Sequence, residues 1–215
     1  MLPLAPVRVR QHVNPLSDKY RFEVDPPDWA EIYAQLDRPL HLDIGCGRGQ
    51  FLFAMAKQQP EWNYLGLEIR APLVTQALDS REQQQLTNLH FVFCNANITL
   101  QTLFNPWPNC PLRRVSIQFP DPWFKKRHQK RRVVQPALVA ELATLMCPGA
   151  DAVLQSDIEA VAVEMSDRFR EHPRFQRRSA VWEPESPFPA MTEREALTLE
   201  KGQPVFRSVF TLQVP

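Results

Sequence analysis

Residues 40–58 constrain the fold more than any other stretch of this 215-residue chain. Leu40-His41-Leu42-Asp43-Ile44 reads as a buried strand, and three of the chain's six glycines follow within five positions, Gly45-Cys46-Gly47-Arg48-Gly49. Phe51, Leu52 and Met55 then share one face at helical spacing until Pro60 ends the run. The strand–helix alternation continues down the chain. Residues 64–68 read as a second strand, with a helix from near Pro72 to about Gln85 behind it. Residues 88–97 give a third strand with a polar end, and 115–119 a fourth. A helix over 136–146, a strand over 152–157 and a helix over 158–171 follow. Strand-like composition returns at 175–182 and 205–213, separated by a loop over 183–192. Asp28 is placed to cap a short helix over 29–36, and the prolines of 105–111 permit only a loop. Alternation at this spacing predicts an α/β fold with a doubly wound, mostly parallel sheet.

A hydrophobic content of 44% supports one globular domain over 29–215, preceded by a proline-rich arm over 1–28. The arm's Arg8, Arg10 and His12 suit either packing or phosphate contact. The four cysteines form no C-x-x-C pair, which argues against a metal site and for reduced thiols. Without a signal-peptide segment or an apolar run of spanning length, the expectation is a cytoplasmic protein with no membrane partner.

A net charge of +1 excludes a chain that is basic throughout, so any nucleic-acid footprint must be a patch. One patch is plain. Lys125, Lys126, Arg127, Lys130, Arg131 and Arg132 place six of the 25 basic side chains in eight consecutive positions. No acid lies among them to relieve their repulsion, which points to an anionic partner. Directly before them, Phe119-Pro120-Asp121-Pro122-Trp123 ends the fourth strand in a stiff loop that presents one carboxylate beside one indole. A carboxylate set against a field built for a polyanion suggests chemistry performed on a nucleic acid.

The glycine turn suggests the ligand. A dinucleotide fingerprint would place its third glycine at position 50, which is Gln50. Asp43, two residues before the first glycine, would repel a pyrophosphate but suits the cationic amino group of S-adenosylmethionine. Glu68 closes the second strand where an acid takes ribose hydroxyls in such folds. Asn95 stands where an amide could read adenine, and equally where a turn residue would stand. Strands one and four flank the point where strand order reverses, so Asp121 should face the donor.

The glycine loop 45–49, the Gly66-Leu67-Glu68 strand end and the stretch 119–132 together resemble the bacterial tRNA (guanine-N(7)-)-methyltransferase family. His12-Val13-Asn14-Pro15-Leu16 resembles that family's N-terminal element, and Thr192-Glu193-Arg194-Glu195 its C-terminal T-x-x-E motif. The resemblance implies a Rossmann-like class I methyltransferase fold. It implies transfer of methyl to a ring nitrogen of guanosine in the variable loop of tRNA, by a monomer or homodimer. Asp43, Gly45, Gly47, Glu68, Asn95 and Asp121 would surround S-adenosylmethionine, with Asp121 catalytic. Lys125, Asp157, Thr192 and Glu195 would bind the target nucleoside, and Lys126, Arg127, Lys130, Arg131 and Arg132 the phosphates. Asn95 departs from the acid many members carry. Asp157 also reads as a helix N-cap, and Thr192 as the cap of a local turn. Competing readings are a non-catalytic RNA-binding protein of the same fold and a methyltransferase for another base.

Overall fold

The computed structural model describes residues 13–107 and 111–214, so Arg8, Arg10 and His12 of the arm lie outside the described residues. Seven strands form one sheet in the order β3-β2-β1-β4-β5-β7-β6. They are β1 Leu40–Ile44, β2 Asn63–Glu68, β3 Leu89–Phe93, β4 Leu112–Gln118, β5 Asp151–Ser156, β6 Phe175–Arg177 and β7 Phe206–Leu212. β1 to β5 run parallel, and β7 inserts antiparallel between β5 and β6.

Every residue of β1 and β2 is buried, as expected of parallel strands covered on both faces. Leu40, Leu42 and Ile44 face a core built with α4 (Ala96–Phe104), α5 (Pro136–Leu145) and α6 (Glu159–Arg170). The opposite face packs α2 (Gln50–Gln58) and α3 (Ala71–Gln83) together with Phe188 of a later loop. His41 and Asp43 alternate onto this second face. Gly49 allows α2 to lie close there, because a Cβ at that position would meet the Phe91 ring at 2.4 Å.

Several boundaries differ from the sequence expectation. The helix expected over 29–36 is a single turn, α1 Trp29–Ile32, capped by Asp28 and ended where Tyr33 turns extended. β3 stops at Phe93 instead of running to Asn97, because Asn95 accepts a hydrogen bond from the Asn97 amide and starts α4. That helix was not expected, and neither was α7, Glu193–Glu200. β6 is only three residues long. Cys46 and Cys94 are free, whereas Cys147 is disulfide-bonded, which corrects the expectation of reduced thiols at that position. Among the described residues, no helix is long and apolar enough to cross a membrane.

Residues 13–22 lie at the carboxyl edge of the sheet with one 3-10 turn, Asp18–Tyr20, and the Glu23 carboxylate then accepts a hydrogen bond from Thr102 of α4. Tyr20 is buried, and the Asn95 amide donates to the Pro15 carbonyl at 3.1 Å and the Tyr20 carbonyl at 3.4 Å.

Candidate active site at the carboxyl edge of the sheet

The strand order reverses between β1 and β4, and two cavities open above that point. The smaller, about 150 Å³, reaches Glu68, Asn95, Trp123 and Arg131. The larger, about 610 Å³, runs from Asp43 and Gly47 to Phe124, Asp157, Thr192 and Arg194. They share a wall made by Gly45, Arg70, Gln118, Phe119, Pro120 and Asp121. Asp121 is therefore the carboxylate presented to both.

Asp43 is buried on β1 and faces Ser116 across the β4 register. Its Oδ1 accepts from Ser116 Oγ at 2.6 Å and from Gln118 Nε2 at 3.2 Å. Burial dominates these hydrogen bonds and raises its pKa from 3.8 to about 6, with Glu68 adding to the rise. Since Ser116 gives its proton to Asp43, His41 Nε2, 2.8 Å from that hydroxyl, carries its own proton. Burial holds His41 well below the ordinary histidine pKa, so the ring is neutral.

Gly45 and Gly47 have φ of +83° and +59°, and a Cβ on either would meet nothing within 4 Å. Their backbone thus opens onto space that a ligand can approach, in contrast to the packed Gly49. Glu68 is buried at the end of β2 and accepts from the Gly47 amide at 2.9 Å. Arg70 takes both of its oxygens, Nε to Oε1 at 2.9 Å and Nη2 to Oε2 at 3.0 Å. The hydrogen bond to Glu68 is the largest influence raising the Arg70 pKa, and the charges of Glu68 and Asp121 add to it. Arg70 carried no assignment from sequence, because a lone arginine at the start of a helix gives no signal.

Phe119 and Trp123 have φ of +48° and +41°, a left-handed backbone that non-glycine residues rarely adopt. The 119–123 loop therefore holds strain on both sides of Asp121. Arg132 braces it, since its Nε donates to the Pro122 carbonyl at 2.7 Å and its Nη1 pairs with Glu164. Arg131 lies over the Trp123 ring, 4.9 Å from its centroid, and His128 meets the same ring edge-on. Both arginines are thus committed inside the loop. Lys125, Lys126, Arg127 and Lys130 stay exposed, the last three on a 3-10 helix, Lys126–Arg131. Phe124 is 73% exposed at the larger cavity, whereas Trp123 lines the smaller one.

On the far side, Asp157 pairs with Arg194, whose Nε and Nη2 lie 2.9 and 2.5 Å from Oδ2. Asp157 does not cap α6, whose N-cap residue is Ile158. Thr192 caps α7 by accepting from the Glu195 amide at 3.0 Å. Glu195 points away from the cavity and is wholly buried against Arg207, with Nη2 to Oε1 at 2.7 Å. The structure therefore gathers Asp43, Gly45, Gly47, Glu68, Asn95, Asp121, Asp157 and Thr192 at one edge and turns Glu195 inward.

A family model described as "Putative methyltransferase" matches residues 37–208. A protein of Synechococcus elongatus named tRNA (guanine-N(7)-)-methyltransferase is 58% identical over 98% of this chain and 99% of its own length. One of Microcystis aeruginosa with the same name is 55% identical over 98% of this chain and 100% of its own. Among solved structures, the 16S rRNA methyltransferase KamB superposes with a TM-score of 0.61 at 16% identity, over 89% of this chain and 96% of its own. At that identity the likeness concerns the fold.

Proposed function

This chain belongs to the tRNA (guanine-N(7)-)-methyltransferase family, and we propose that the donor spans the smaller cavity and the Asp43–Gly47 end of the larger one, while the target base takes the Phe124, Asp157 and Thr192 end of the larger, with Asp121 between them. The enzyme transfers a methyl group from S-adenosylmethionine to the 7-position nitrogen of a guanosine in tRNA, giving 7-methylguanosine. The position of Asp121 in the shared wall is the observation that carries the assignment of roles.

The residues at the donor side fit that cofactor. Gly45 and Gly47 leave their backbone open, and the Asp43 carboxylate suits an ammonium group. Glu68 is placed for ribose hydroxyls, which would compete with Arg70 for its oxygens. Asn95 lines the smaller cavity while tying residues 15 and 20 across it, so the adenine side is closed by the N-terminal segment. When bound, S-adenosylmethionine supplies an electrophilic methyl group.

The attacked nitrogen of neutral guanine already carries an in-plane lone pair, so no base has to remove a proton first. Positive charge develops on the purine, and a fixed carboxylate beside it stabilises that charge and accepts from the ring's N–H edge. Asp121 does this, held in place by the strained loop and by Arg132. Phe124 is exposed for stacking on the base in a cavity that Asp157 and Thr192 also line, and the exposed Lys125 follows it in the chain. Lys126, Arg127 and Lys130 take phosphates, and Arg131 and Arg132 shape the loop. The enzyme works in the cytoplasm where its tRNA is found. An exposed patch confined to one short turn suits a monomer or a homodimer equally, and sedimentation of the purified protein separates the two.

The test is methyl transfer from labelled S-adenosylmethionine to unmodified bulk tRNA, followed by nucleoside analysis. Label in 7-methylguanosine is the expected product. Label in another nucleoside overturns the assignment of the target, and no label with no donor binding overturns the enzyme itself.

A further inference from the structure

The face of the sheet that carries Asp43 holds a continuous line of buried polar side chains that neither donor nor target binding explains. It follows the strand register. Asp43 stands opposite Ser116, Gln118 opposite Gln155, and Gln155 opposite Arg207. Side chains two apart on a strand share a face, so these groups meet across β1, β4, β5 and β7. Gln118 Nε2 donates to Asp43 at 3.2 Å, and Gln155 Nε2 donates to Gln118 Oε1 at 2.7 Å. Arg207 Nε then donates to Gln155 Oε1 at 3.2 Å.

The line ends at the target side. Both Glu195 oxygens are occupied, Oε1 by Arg207 and Oε2 by Gln155 Nε2 at 3.1 Å. The same guanidinium donates Nη1–H to the Pro184 carbonyl at 3.2 Å. One arginine therefore fastens the start of the 183–192 loop, the first turn of α7 and the end of β5 together. Thr192, Glu193 and Arg194, the neighbours of Glu195, line the larger cavity, whereas Glu195 and Arg207 are buried beneath it.

We propose that Glu195, Arg207 and Gln155 are positioning residues, which set Thr192 and Arg194 against Asp157 at the target cavity and register that lip to Asp43 on the donor side. Glu195 accordingly does its work without touching the target base. The proposal rests on the placement of donor and target on either side of Asp121 given above. A buried ion pair is a poor device for stability alone, because apolar residues of the same volume usually serve as well. What it adds is a fixed geometry, here among three segments that one guanidinium and its partners hold together.

A double-mutant cycle on the full chain tests this, with 7-methylguanosine formation in tRNA as the readout. Glu195→Gln leaves the Arg207 charge buried and unpaired, and Arg207→Gln leaves that of Glu195. Each single change is expected to lower kcat/KM for tRNA at least tenfold while the KM for S-adenosylmethionine moves less than about twofold. The double variant, neutral and still hydrogen-bonded, is expected to return to within about threefold of the wild type. If it stays as inactive as Glu195→Gln alone, Glu195 contacts the substrate and the proposal is overturned. Thermal melts identify a variant that fails to fold, in which case Glu195→Leu with Arg207→Met repeats the cycle with the same two outcomes. Activity of the wild type toward tRNA, measured alongside, separates failure of this relay from failure of the functional assignment.

Discussion

Asp43 is a carboxylate that the sheet makes expensive to ionise. Strands on both sides exclude water from it, and two hydrogen bonds to one oxygen only partly offset that cost. Its native pKa of about 6 lies above the ordinary 3.8, so the folded protein holds the proton more tightly across that window. This group's contribution to stability is accordingly greatest below the ordinary value and declines as pH rises through the native one. If Asp43 holds the donor's cationic amino group, as proposed above, donor binding runs the other way, because that contact requires the ionised form. Affinity for S-adenosylmethionine should fall about tenfold per pH unit below the native pKa, and calorimetric titration across that range measures it. In Asp43→Asn the donor should bind weakly with a flat pH profile. A profile for that variant with the same break as the wild type would assign the titration to another group.

At the scale of elements, the glycine turn illustrates how one motif holds two kinds of glycine. Gly49→Ala drives a Cβ into the Phe91 ring at the contact between α2 and the sheet, and should destabilise the fold by about 1–3 kcal/mol in urea melts. Gly47→Ala meets no atom, so its effect should be confined to backbone strain of about 1–2 kcal/mol and to weaker donor binding. The alternation of strands and helices was legible because β1, β2, β4 and β5 carry apolar runs, each with a proline or glycine within three residues before it. α4 was not, since Asn95 both ends a polar strand tail and caps a helix, and periodicity cannot say which. α7 follows a proline-rich loop and buries only Glu195 and Thr198, so it lacks the apolar stripe by which helices are recognised. The locations of Glu68, closing β2, and Asp121, just beyond β4, both beside the cavities, were readable from position. The inward turn of Arg132 and Glu195 depends on partners in later elements, Glu164 and Arg207, which spacing does not reveal. Arg132→Ala should therefore lower turnover by loosening the Pro122 loop while leaving the salt dependence of tRNA binding unchanged. A salt slope reduced as far as that of a surface lysine variant would place its charge on phosphate.

At the scale of the whole molecule, a chain of net charge +1 sets its densest run of cations on a short, exposed turn beside the candidate site, where the proposed function has it meet the tRNA phosphates. That concentrates the attraction where the base must be delivered, because residues 125–132 carry +6 and the rest of the chain a net −5. Replacing Lys126, Arg127 and Lys130 together by alanine should reduce the slope of log affinity for tRNA against log salt by about two to three. An unaltered slope would move the phosphate contacts elsewhere.

The most direct measurement of the central claim is single-turnover methyl transfer by Asp121→Asn, with tRNA and S-adenosylmethionine both bound before the reaction starts. If Asp121 stabilises the charge developing on guanine from the wall between the two cavities, the rate of 7-methylguanosine formation falls about a hundredfold while both affinities hold. A rate equal to that of the wild type would contradict the account and return the role to another group at the edge of the sheet.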